Sequence, residues 1–143
     1  LSVTAAPSNP GLKATWHEFK GNKCSEIEKA PVNGTYPVED VMIPKKVKGN
    51  IGLIIKGYFN APQDDIYTFA LLSDDGSTLT IDSEQIVDND GPHGPKEIVG
   101  QKALAKGYHP MELRYFDQNG GQLKLKVTGS DGKEIPFTHL YAH

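Results

Sequence analysis

Apolar residues recur at short spacing along the chain and are interrupted about every ten residues by clusters of Gly, Pro, Asn and Asp, the pattern of short strands joined by turns. The segments "LKATWHEF" (12–19), "NIGLIIKGYF" (50–59), "IYTFALL" (66–72), "STLTID" (77–82), "MELRYFD" (111–117) and "QLKLKVTG" (122–129) all read as strands. The last alternates cleanly: Leu123, Leu125 and Val127 fall on one face, and Lys124, Lys126 and Thr128 on the other. One face is buried and one is wet. Between the strands, "NAPQDD" (60–65), "DNDGPHGP" (88–95), "DQNGG" (117–121) and "GSDG" (129–132) carry turn residues. Only "NKCSEIEKAPVNG" (22–34) has room for a helical turn, which Pro31 limits. No internal repeat or heptad is present.

With 143 residues the chain forms one domain, and a domain of this length buries roughly 68% of the surface its unfolded chain exposes. Its 15 Gly and 10 Pro suit turns better than helices. The expected fold is all-β, an antiparallel sandwich or barrel of about ten strands. Residues 1–10, "LSVTAAPSNP", have no apolar period and read as the remnant of a linker, leaving 11–143 as the domain.

Charge and cysteine content narrow the function. A net charge of -3 gives no excess of Lys and Arg to release counterions from a phosphate backbone, so nucleic acid is not an expected partner. The longest apolar run, "LII" (53–55), is far short of the roughly 20 residues a membrane helix needs, so no span is expected. Cys24 is the only cysteine, which forbids an internal disulfide and multi-thiolate zinc sites. The acyl-transfer elbow, the phosphate loop and the dinucleotide fingerprint are all missing. The five histidines, at 17, 93, 109, 139 and 143, lack metal spacing and are assigned structural or solvated roles. Trp16 is assigned to the core.

Three polar stretches carry candidate chemistry. In "SDDGS" (73–77), Asp74 and Asp75 stand side by side. One reading is a hairpin turn, with Asp accepting backbone N–H bonds and Gly76 supplying positive φ. The other is a cation shared by both carboxylates, since Ca²⁺ takes 6 to 8 oxygen ligands and offsets like charges that would otherwise repel. Neighbours on a strand point to opposite faces, so a turn or a cis peptide is needed to bring the two together. In "VDNDGPHG", Asp88, Asn89, Asp90 and His93 suggest a loop that bonds its own backbone; an EF-hand would put Ile86 at its first ligand position and is rejected. In "DQNGG", Asp117, Gln118 and Asn119 offer oxygens on a loop that Gly120 and Gly121 let fold tightly.

The ordered set "GLKATWHEF", "IGLIIKGYFNAPQDDIYTFALLSDDGSTLTID", "QIVDNDGPHG" and "GYHPMELRYFDQNGGQLKL" resembles the protective-antigen (PA-14) domain family over about residues 11–141. The resemblance implies a barrel-like β-sandwich found in secreted glycosidases, toxins and adhesins. In sugar-binding members, adjacent aspartates joined by a cis peptide and oxygens from a later loop hold a Ca²⁺ that coordinates vicinal sugar hydroxyls. By that likeness Asp74, Asp75, Asp117, Gln118 and Asn119 are the metal set, and Asp74, Asp75, Asn119, Gly120 and Gly121 meet the ligand. The chain departs from the family at "DSEQ", where Ser83 stands in place of the usual Gly, and a different turn is expected there. The implied function is a non-catalytic carbohydrate-binding module, secreted, periplasmic or on the cell surface, with a catalytic domain of the same chain as partner. The N-terminal stretch followed by such a module is similar to the accessory region of bacterial glycoside hydrolases, β-N-acetylhexosaminidases in particular. The alternative is a structural module that docks on and shapes a hexosaminidase or β-glucosidase active site without binding sugar.

Overall fold

The computed structural model describes residues 9–118, 121–136 and 140–142. Twelve strands are present among them: β1 (Asn9–Pro10), β2 (Leu12–Glu18), β3 (Val32–Val38), β4 (Asn50–Ala61), β5 (Asp65–Asp74), β6 (Ser77–Ile81), β7 (Glu84–Asn89), β8 (Lys96–Leu104), β9 (Gly107–Gln118), β10 (Gln122–Thr128), β11 (Glu134–Ile135) and β12 (Leu140–Ala142). They form two antiparallel sheets. The larger runs β1-β12-β4-β9-β6-β7, with β2 bridging β3 and β4, and the smaller runs β11-β10-β5-β8. Strand pairing already begins at Asn9, opposite Ala142, inside the stretch expected to be linker.

The sheets face each other across one core. Leu53, Ile55 and Phe59 of β4, Leu113 and Tyr115 of β9, and Leu79 and Ile81 of β6 meet Tyr67, Phe69 and Leu71 of β5. Phe59 stacks edge-on against Tyr67 and Phe69, with ring centroids 5.3 and 5.6 Å apart, a favoured aromatic geometry. The run Ile51–Ile55 abandons alternation because β4 is buried on both sides. Behind it, a 3₁₀ helix (Cys24–Lys29) packs Ile27 and Cys24 onto Ile54, Phe19 and Phe116. Gly52 admits that approach, since a Cβ there would lie 2.8 Å from Ile27 Cγ2. The short helix ends before Pro31, as expected. Trp16 packs on the core only partly buried.

Three of the longer strands, and the two- and three-residue strands β1, β11 and β12, carry no clear sequence signal. β3 is broken by Gly34 and Pro37 and mostly exposed, and β8 is an exposed edge of the smaller sheet with Gly100 at its centre. β7 is short and shifts register against β6. At the β6–β7 turn Asp82 and Ser83 both take positive φ, 52° and 66°, so the left-handed backbone that glycine favours persists without glycine. His109 is fully buried beneath it, its Nδ1 2.8 Å from Asp82 Oδ2 and its Nε2 2.7 Å from Ala105 O. His17 is buried too, its Nδ1 3.0 Å from Ala30 O. His139 and His143 lie outside the described residues.

Candidate functional site

The stretch "SDDGS" is not a hairpin. β5 pairs with β10 and β8 in the smaller sheet, whereas β6 pairs with β7 and β9 in the larger one. Asp74, Asp75 and Gly76 therefore carry the chain from one sheet to the other, and the bond between the two aspartates is cis. Gly76 is not a positive-φ residue. It is glycine because a Cβ would lie 2.5 Å from Phe116 Cε2 and 2.7 Å from Gly91 N. Two more crossovers reach the same end of the sandwich. β9 ends at Gln118 and β10 begins at Gln122, which pairs with Asp74, and the chain passes from β7 to β8 through 90–95. "DQNGG" and "DNDGPHGP" are thus sheet-to-sheet links rather than hairpin loops, and all three acidic stretches meet at one corner.

A buried polar cluster holds that corner. Ser73 is fully buried at the next inward position after Tyr67, Phe69 and Leu71. Its hydroxyl donates to Asp75 O at 2.7 Å, so in its 2.6 Å bond to Ser77 Oγ the Ser77 hydroxyl is the donor. Asn89 Nδ2 donates to Lys96 O at 2.8 Å and to Leu71 O at 3.2 Å, tying β7 to the smaller sheet. Asp88 Oδ1 accepts from Asp90 N, and Asp90 Oδ1 accepts from Gly91 N and Cys24 N at 2.8 and 3.0 Å, which fastens the link to the 3₁₀ helix. Both His93 ring nitrogens face carbonyl oxygens, Asn89 O at 2.8 Å and Gly94 O at 2.7 Å. Cys24 is buried, and burial together with the nearby Asp90 pushes its thiol far above its ordinary value; it stays protonated and is no nucleophile.

The two aspartates stand differently. Asp75 is oriented from both sides, its Oδ1 accepting from His93 N and its Oδ2 from Gln118 N, each at 3.3 Å. No hydrogen bond from a described residue reaches the Asp74 carboxylate, which is partly exposed. Asp117 is 2% exposed and faces inward, its Oδ2 2.5 Å from Tyr115 Oη, which also lies 2.7 Å from Asp74 O. Burial, and then the bond to Asp117, push the Tyr115 hydroxyl far above its ordinary value, so it remains a donor. Gly121 completes the closure: a Cβ there would lie 1.9 Å from Asp74 O and 2.6 Å from Tyr115 Oη. Asn119 and Gly120 lie outside the described residues.

The side chains gathered at this corner offer carboxylate, amide and hydroxyl oxygens, the donor type that hard cations take. Among the described residues no three His, Cys, Asp or Glu side chains cluster as a metal set. The sequence did not single out Ser73, Ser77 or Tyr115. The signal was there for the serines, since each flanks the aspartates at a position where the period of two demands an apolar residue.

Comparison with curated proteins gives no match. Among solved structures, the PA14 sugar-binding domain from an RTX adhesin is similar, with a TM-score of 0.78 at 16% identity, covering 95% of this chain and 100% of that one. The A domain of epithelial adhesin 6 from Candida glabrata, in complex with Galβ1-3GlcNAc, gives 0.70 at 13% identity over 96% of this chain and 88% of that one. A β-glucosidase from Kluyveromyces marxianus, in complex with glucose, gives 0.64 at 17% identity, covering 84% of this chain but 16% of that one. A family model, PA14 domain, matches residues 8–137. The chain belongs to the PA14 domain family.

Proposed function

We propose that the chain is a calcium-dependent carbohydrate-binding module without chemistry of its own. One observation carries this reading: where three sheet crossovers meet, Asp75 is fixed by the backbone of two of the links while the neighbouring Asp74 carboxylate is left open. A bound Ca²⁺ would supply coordination positions for vicinal sugar hydroxyls. Asp74 and Asp75 would hold it, with further oxygens from the Asp117–Gly121 link, including Asn119. The similarity to a sugar-binding domain and to an adhesin solved with a disaccharide supports the assignment. Secretion or display at the cell surface goes with a glycan ligand.

A second reading is favoured by the β-glucosidase, of which the matched region is a small part. Here the module is an accessory domain of a glycoside hydrolase, of the hexosaminidase or β-glucosidase kind, and docks on its catalytic domain. The two readings separate on a glycan array. Calcium-dependent retention by the wild type, lost with a chelator and in Asp74→Asn/Asp75→Asn, is expected of the binding module. Retention unchanged by chelator, or none at millimolar calcium, would leave the docking role.

A further inference from the structure

Beside the paired aspartates lies a hollow of about 330 Å³, within the size range of small-ligand pockets. Its apolar side is made by Ile43, Val47 and Ile51, and its polar side by Lys48, Asp117 and Gly121. It shares Gly121 with the candidate site, and Gly121 touches the Asp74 carbonyl. Of its two charged lining residues, Asp117 is turned inward to the Tyr115 hydroxyl, whereas Lys48 is exposed. Lys45 and Lys46 of the same segment are exposed as well. A cation at Asp74 and Asp75 offsets those carboxylates, and Lys48 is then the charge that a ligand reaching into the hollow meets.

We propose that the glycan taken at this corner is acidic: its diol sits at Asp74 and Asp75, and its carboxylate or sulfate lies in the hollow against Lys48. A neutral sugar would gain no ion pair from the exposed ammonium, while the apolar side accepts the C–H face of either. The inference rests on the carbohydrate-binding reading above.

Ligand-observed NMR titration with methyl galactoside, methyl galacturonoside and methyl galactoside 6-sulfate, all with calcium, tests it. In the wild type at least one acidic sugar is expected to bind more tightly than the neutral one by about fivefold, the scale of one partly screened ion pair. That preference should narrow at high salt. Lys48→Gln should erase it and leave neutral binding unchanged, which also shows that the variant is folded, and Lys48→Arg should retain it. Whichever acidic sugar is preferred identifies the anionic group. Equal or tighter binding of the neutral sugar, or a preference that survives Lys48→Gln, overturns the inference while the calcium-dependent reading stands. Binding of none of the three sugars in calcium overturns the inference, and a glycan array without calcium-dependent retention overturns the carbohydrate-binding reading as well.

Discussion

Gly121→Ala is expected to abolish calcium uptake and to lower stability together. The new methyl would stand 1.9 Å from the Asp74 carbonyl oxygen and 2.6 Å from Tyr115 Oη, and the nearest of these is main chain held in register opposite Gln122. No rotamer relieves such a clash. Either the β9–β10 link or the Asp74–Asp75 segment has to move, and forced overpacking of this kind costs about 1–3 kcal/mol. The same movement separates Gln118 N from the Asp75 carboxylate it orients. Thermal melting and calorimetry on the variant read both effects. A variant with wild-type melting and wild-type calcium uptake would show that the two links are not in contact as described.

Tyr115→Phe should be the second large effect. The hydroxyl donates to a carboxylate only 2% exposed, 2.5 Å away, and it also touches the Asp74 carbonyl. Removing a donor from a buried acceptor costs about 1–3 kcal/mol, more when the acceptor is charged. The ring itself fills the core beside Leu53 and Ser77, its cross-strand partners, so phenylalanine keeps the packing and isolates the polar loss. Calcium affinity should fall as well, because Asp74 and Asp117 are no longer linked through one group. Chemical denaturation gives the stability change directly. Unchanged stability would mean that the Tyr115 hydroxyl contributes nothing to holding Asp117.

The sequence shows the fold clearly where strands are buried and poorly where they are not. β4, β5, β6, β9 and β10 announce themselves through long apolar runs or alternation. β3 and β8 face solvent over most of their length, and with only half a core face to fill, their sequences are not held to a period of two. The destination of each link is hidden in the sequence for a related reason. A turn composition such as "DDG" reports that the chain bends, and it does not say which sheet the next strand joins.

The chain contains a second adjacent pair, Asp64 and Asp65, that on composition resembles the first. Its carboxylates serve turns at the opposite end. Asp64 Oδ1 accepts from Lys106 N, and Asp65 accepts from Ile66 N and Ser130 N, hydrogen bonds from Ser130 holding Asp65 below the usual carboxylate range. Only the pairing of strands separates an aspartate pair closed on backbone from one with an open carboxylate. Tyr115 was hidden for the same reason: as an inward residue of β9 it reads as core, and its hydroxyl matters only because β5 ends beside it.

The most direct test is a calcium titration of the wild-type chain and of Asp74→Asn/Asp75→Asn, followed by calorimetry and thermal melting. Extracellular calcium modules bind in the range of about 10⁻⁴ to 10⁻³ M. A site at the tight end of that range, saturated at about 100 times its dissociation constant, stabilises the fold by about 2.7 kcal/mol. The expected result is one calcium per wild-type chain with a rise in melting temperature, and neither in the double variant. Absence of heat and of any melting shift in the wild type at millimolar calcium would contradict a shared cation at Asp74 and Asp75.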